Sequence, residues 1–265
     1  MKFLKSMMLI FNYKTLIVIV LAIASTYACI YFDLKANFPL TLVGIAVVFP
    51  IVFSIGGAYG RRENALKLYG SIKAHGRALF FASRDWVADG DDQYQEKMKA
   101  LLKEFLTGLR SYFQAEDKED RAIKERNIYK IFTKLSLFIK QYRDRGLASG
   151  EVSRSNQYLS KMMDAFESIK HIYQYRTPIT LRAYSKIFVV IVPIVYGPYF
   201  AHISADITIW LSMIMPVLFS IVLVSLDNIQ DHLENPFDQV GEDDVKINAE
   251  KFVDNLEFFN ELPTI

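Results

Sequence analysis

The sequence predicts an all-α membrane protein, with four transmembrane helices in two hairpins and a cytoplasmic helical domain between them. Three observations carry that prediction: four apolar runs, their grouping towards the two ends of the chain, and a charged middle whose apolar residues recur at helical spacing. The chain has 265 residues, 52% of them hydrophobic. That average hides two materials, because residues 61–182 are dense in Lys, Arg, Asp and Glu.

The apolar runs cover residues 15–32, 38–59, 187–203 and 207–226, and none contains Lys, Arg, Asp or Glu. Each is close to the roughly 20 residues a helix needs to cross about 30 Å of hydrocarbon. Burying all four in a soluble fold would need more apolar partner surface than the charged middle supplies. Lys14 and the lack of a small-x-small site before Asp33 argue against a cleaved signal peptide as the first run.

Cations flanking the runs set the orientation. Lys2, Lys5 and Lys14 precede the first run; Arg61, Arg62, Lys67 and Lys73 follow the second; Arg176, Arg182 and Lys186 precede the third. The opposite side offers only Asp33 and Lys35 in one turn, and His202 and Asp206 in the other. A multi-pass protein with both termini and the middle domain in the cytoplasm follows. The expected boundaries are a first hairpin over 1–60, the cytoplasmic domain over 61–182, a second hairpin over 183–227 and a cytoplasmic tail over 228–265.

The middle reads as helix throughout. Met98, Leu101, Leu102, Phe105, Leu109 and Tyr112 form one apolar stripe at three- and four-residue steps. Ile128, Phe132, Leu135, Ile139 and Tyr142 form a second; Leu159, Met162, Met163, Phe166, Ile169 and Tyr173 form a third. Breaks are expected at 88–92, 115–120 and 146–150, where Gly and Asp collect, and at Thr177-Pro178. The second run continues past the membrane through Ala65, Leu68, Tyr69, Ile72 and Leu79, so one helix of about 70 Å is expected to Arg84. Pro50 should kink it, with a neighbouring group satisfying the freed carbonyl. Pro193, Pro198 and Pro216 disturb the second hairpin in the same way.

Composition excludes several classes. A net charge of +2 gives no bulk attraction to nucleic acid. Cys29 is the sole cysteine, so no disulfide framework or thiolate cluster is available, and it reads as a small packing residue. His75, His171, His202 and His232 are scattered, and no phosphate loop, nucleophile elbow or HExxH pattern occurs. The chain is therefore not read as an enzyme. Gly56-Gly57 reads as a close-packing site and Arg61-Arg62-Glu63 as a cytoplasmic rim.

Two stretches remain as candidate sites. Phe38, Leu42 and Ala46 stand at i, i+4 and i+8, and Phe49 and Phe53 extend that face. The residues alone leave two readings open: contact with lipid, which is the blander, or an apolar constriction that gates by dewetting when several copies surround an axis. In the tail, Asn235 precedes the run Glu242, Asp243 and Asp244 across a Pro/Gly turn, a set of oxygens suited to Ca²⁺. Solvated surface acids are the other reading.

Several short motifs, in order on this four-span plan, resemble the bestrophin family of pentameric channels in a prokaryote-like form. Residues from Phe38-Pro39-Leu40-Thr41-Leu42-Val43-Gly44 through Ala58-Tyr59-Gly60-Arg61 to Leu68-Tyr69-Gly70 resemble the family's PF-x-LLG, FRNNxAYxRWWEA and LWG pattern without a gap. Ser83-Arg84, Arg176-Thr177-Pro178 with Ala183-Tyr184-Ser185, and Glu234-Asn235-Pro236-Phe237 match later family motifs. The chain departs from the pattern at Ala46, where the family has a bulkier residue, at Phe53-Ser54-Ile55-Gly56-Gly57, which replaces the polar FRNN segment, and at Arg62 and Glu63, which replace paired tryptophans. The Gln239-Val240-Gly241 insertion separates NPF from the acidic run that forms the family's Ca²⁺ clasp.

The resemblance implies a homopentamer in the lipid of a bacterial inner (plasma) membrane. Its second spans line an axial pore with Phe38, Leu42 and Ala46 at the neck, conducting chloride or other monovalent anions. Some prokaryotic relatives prefer cations, so a cation-conducting homologue is one alternative. A non-conducting membrane scaffold or signalling subunit is another.

Overall fold

The computed structural model describes residues 11–87, 92–204, 208–237 and 244–260, and among them no strand occurs. The helices are α1 (Tyr13–Tyr31), α2 (Leu40–Phe81), α3 (Asp92–Phe113), α4 (Lys118–Asp144), α5 (Ser149–Gln174), α6 (Ile179–Val195), α7 (Gly197–Ile203), α8 (Ile209–Glu234) and α9 (Ala249–Asn260). A single π-helical turn, Ala82–Trp86, follows α2 and contains the Ser83-Arg84 pair. The chain divides into two compact units. The first comprises Met1–Arg61 and Arg176–Asn235, the second Arg62–Tyr175 and Pro236–Ile265.

Four helical stretches are long and apolar enough to cross a membrane, within Tyr13–Tyr31, Val43–Trp86, Ser149–Ile203 and Ser212–Glu234. In the first unit, α1 packs against α8, α7 and α6, and α6 packs against α8. The core of the unit joins Val18, Val47, Ile51, Val189, Val192, Tyr196, Phe200, Leu223 and Val224. Asn12 starts α1 as a capping box, its Oδ1 accepting from the Lys14 and Thr15 backbone while Thr15 Oγ1 accepts from the Asn12 N–H. At the other end Asp33 adopts φ 53°, and Leu34 N donates to Cys29 O at 2.8 Å. This left-handed cap ends the helix with its last carbonyls satisfied.

The prolines are accommodated by specific partners. Pro50 lies inside α2 and has no N–H for the carbonyl four residues back, that of Ala46. The Tyr184 hydroxyl of α6 donates to that Ala46 carbonyl at 3.0 Å. Pro198 sits in the first turn of α7, immediately after the third run breaks at Tyr196. The Ile194 carbonyl, four residues before Pro198, accepts from Ser25 Oγ at 2.7 Å. The break also brings α1 very close: a Cβ on Gly197 would lie 2.4 Å from Ser25 Oγ and 3.2 Å from Cys29 Sγ. Cys29 is buried there, as a small packing residue should be.

The second unit has its own core. Here α3 packs on α4 and α9, and α4 on α5. All three predicted stripes turn inward, with Met98, Phe105, Leu109, Tyr112, Ile128, Leu135, Ile139, Tyr142 and Phe166 fully enclosed. Leu106 joins the first stripe, and Met163 is 37% exposed, turned out of the third. Asp117 caps α4, accepting from Asp120 N at 2.7 Å, and Gly146 ends it at φ 81°. The hydrogen bonds Leu147 N to Tyr142 O and Gly146 N to Arg143 O complete that left-handed cap. Burial pushes the Tyr112 phenol up to about 12, although Gln174 donates to it, and pushes the Tyr142 phenol up as well. Both hydroxyls therefore stay neutral across the physiological range.

Candidate functional site

The α2 helix presents two unlike faces in the first unit. Val47, Ile51, Ser54 and Ala58 are buried at steps of three and four. Ile45, Phe49, Val52 and Phe53 lie away from that seam and are 59%, 61%, 49% and 64% exposed. Phe49 and Phe53 meet edge to face, with ring centroids 4.7 Å apart. Ala46 is exposed beside them. Phe38 is placed differently from a helical i, i+4 relation, because it lies outside α2, before the helix begins at Leu40. Its half-buried ring stacks edge-on to Tyr196 at 4.9 Å and tilts against Tyr199 at 5.9 Å. The Leu42 side chain lies outside the described residues.

A polar rim gathers at one end of the same unit. The Lys14 ammonium at the start of α1 pairs with Asp227 near the end of α8, and Asn12 Nδ2 donates to Asn228 Oδ1 at 3.0 Å. Arg61 of α2 donates to Thr177 Oγ1 at 2.6 Å, and its Nη1 lies 3.6 Å from where a Gly57 Cβ would stand. Arg182 of α6 faces Glu234 at 3.2 Å and Lys186 faces Asp231 at 3.4 Å. Four cations thus meet three carboxylates. Asp227 and Glu234 are almost fully enclosed, a placement a carboxylate tolerates only beside such partners.

Sequence reasoning missed most of this rim, because α8 continues two turns beyond the apolar run that ends at Leu226. Buried Asp227, Asn228, Gln230 and Glu234 ride on those turns. The signal was present as closely spaced acids and amides directly after the run, opposite Lys14 and Arg182. Gly56 meets no neighbour within 4 Å and Gly57 only Arg61 of its own helix, so neither is a packing site within this chain.

Of the Ca²⁺ candidates, Asn235 caps α8, with a buried Oδ1 that has no hydrogen-bond partner among the described residues. Asp244 is half-buried. Glu242 and Asp243 lie outside the described residues. No group of three or more His, Cys, Asp or Glu at metal-holding distance occurs among the described residues. Phe237 of the same motif is fully enclosed in the second unit, stacked on Phe113 with centroids 4.1 Å apart and planes 6° from parallel.

A sequence model of the family described as bacterial and fungal bestrophin proteins matches residues 3–257. The chain belongs to the bestrophin family. Bestrophins are ion channels of membranes, not enzymes, and this bestrophin carries the apolar helices such a protein requires.

Solved structures share the fold of this bestrophin. A bacterial bestrophin homologue from Klebsiella pneumoniae, phased by Zn-SAD, is 17% identical with a TM-score of 0.76, over 95% of this chain and 99% of that one. A tyrosine-to-alanine variant of the Klebsiella pneumoniae homologue is 18% identical with a TM-score of 0.76, over 94% of this chain and all of the other. A crystal structure described as a membrane protein is 17% identical, with a TM-score of 0.76 over 95% of this chain and all of that one. No curated protein matches the sequence.

Proposed function

We propose that five copies of this bestrophin surround one axis, with the α2 ribbon of Ala46, Phe49 and Phe53 facing inward and Phe38 and Leu42 at its outer end. The observation that carries this reading is the exposure of that aromatic ribbon on the face of α2 turned away from the buried seam of Val47, Ile51, Ser54 and Ala58. The α2 window is also the least enclosed of the four apolar windows, with 22% of it buried. In a bilayer an apolar ribbon faces either acyl chains or a second copy; family membership supports the second copy. Wall-to-wall apolar side chains then form a neck that closes by dewetting and opens when it widens.

The permeant species in this reading is chloride or another monovalent anion. Family membership supports it, and the ribbon carries no carboxylate that would attract cations. Residues 1–60 and 183–227 form the membrane hairpins, residues 61–182 and 228–265 are cytoplasmic, and both termini face the cytoplasm of a bacterial inner membrane. The excess of Lys and Arg on one side of the runs supports that orientation. Recordings from the purified protein in bilayers under a KCl gradient test the selectivity. A reversal potential near the chloride equilibrium value is expected; one near the potassium value makes the protein a cation channel, and no current at all removes the channel reading.

Asn235 with Glu242, Asp243 and Asp244 is the proposed Ca²⁺ site, and the orphaned, buried Asn235 Oδ1 supports it. Bound Ca²⁺ would supply positive charge to otherwise repelling carboxylates. The chelator EGTA should lower the melting temperature of the wild-type protein and leave that of Asn235→Ala unchanged; an equal response of both removes the site.

A further inference from the structure

We propose that the second unit binds a small phosphate-class polyanion in a basic cavity between α2 and α9. The cavity has a volume of about 330 Å³, and its charged lining is Lys73 and Arg77 from α2, Lys246 from the segment that leads into α9 and Lys251 from the first turn of α9. Among the described residues no carboxylate lines it. Four like charges around one hollow repel each other, and a multiply charged anion at their centre removes that cost.

Nothing among the described residues neutralises these cations. None of the four takes part in an ion pair. The acid nearest in sequence to Lys251, Glu250, is engaged by Arg110 of α3 through both carboxylate oxygens, at 3.2 and 3.3 Å. Instead the two α2 cations lie over aromatic rings. Lys73 Nζ lies 4.7 Å from the Tyr69 ring centre, and the Arg77 guanidinium 5.6 Å from that of Phe252. Such contacts position a cation without cancelling its charge. Arg77 Nε is a buried donor with no acceptor among the described residues, an expense that a bound oxyanion relieves.

The backbone contributes in the same direction. Asn248 caps the first turn of α9, its Oδ1 accepting from Lys251 N at 2.8 Å, so the positive end of that helix opens beside the cavity. The class of ligand follows from the count of charges. A chloride ion engages one or two cations and leaves the others repelling, whereas a phosphomonoester or pyrophosphate offers several charged oxygens. Its oxygens suit a planar guanidinium and point-charge ammonium groups together. A free solute and the headgroup of an acidic phospholipid share this chemistry.

Isothermal titration of the full-length protein in detergent with inorganic pyrophosphate, against KCl at equal ionic strength, tests the site. Saturable binding of pyrophosphate alone is expected. Lys246 and Lys251 are exposed, so the double variant Lys246→Gln/Lys251→Gln should fold with an unchanged elution profile and bind at least tenfold more weakly. Lys73→Gln should weaken binding similarly, while Lys97→Gln/Lys103→Gln on α3 should not. A dioleoyl phosphatidate vesicle that displaces pyrophosphate assigns the site to lipid; one that does not assigns it to a soluble ligand. Either result keeps the phosphate chemistry. No saturable pyrophosphate binding, or binding that the Lys246/Lys251 double variant leaves intact, overturns the proposal.

Discussion

Tyr184 and Pro50 illustrate how single residues make a membrane helix workable. Proline removes the donor that would serve the Ala46 carbonyl, and a lone carbonyl at membrane depth is costly. The Tyr184 hydroxyl meets it at 3.0 Å. Removing that hydroxyl in Tyr184→Phe should destabilise the protein by about 0.5–1.5 kcal/mol, the net worth of one hydrogen bond. In the Pro50→Ala background the helix supplies its own N–H, so the same change should cost less, by at least about 0.5 kcal/mol. Denaturant unfolding in detergent across the four proteins measures the coupling; additive effects would show that the two residues act independently. From the sequence it was legible that Pro50 needed a partner. Which residue supplied it was not, because Tyr184 stands 138 positions away and only the packing of α6 on α2 brings the two together.

Periodicity at the level of elements was the most readable feature. Core stripes on α3, α4 and α5 came from spacing alone, since a helix that buries one face must repeat apolar residues every three or four positions. Leu106, Phe113, Ile131, Phe138, Val152 and Ala165 widen the stripes into the core, and Met163 leaves it. Helix ends were harder. The third apolar run begins at Ile187, yet α6 starts eight residues earlier, directly after Pro178, whose fixed φ suits a helix start. Polar residues on the last turns of α8 are buried by pairing with Lys14 and Arg182, which no hydropathy window registers. The same limit hid the anchoring of the segment after α8. Phe237 is fully enclosed against Phe113, and Val245 N donates to Pro236 O at 2.8 Å, drawing the chain towards α9. Phe237→Ala should cost about 3–5 kcal/mol through the cavity it leaves. Amide hydrogen exchange should then report lost protection in α9 before α4; uniform loss of protection through both helices would contradict a local anchoring role.

For the whole molecule, the fold class was legible because four apolar runs of spanning length admit few alternatives, and membership of the bestrophin family agrees with it. The candidate site was legible only as a ribbon of residues. A single chain shows Phe49 and Phe53 exposed, and exposure in a membrane protein is equally the condition of a lipid-facing surface and of an unoccupied interface. What decides between them is symmetry, which belongs to the assembly and not to one chain. Cryo-electron microscopy of the protein in lipid nanodiscs makes that decision most directly. The account predicts a five-fold particle in which Phe49 and Phe53 from every copy ring a central axis. A map in which those rings touch acyl-chain density at the periphery would contradict it.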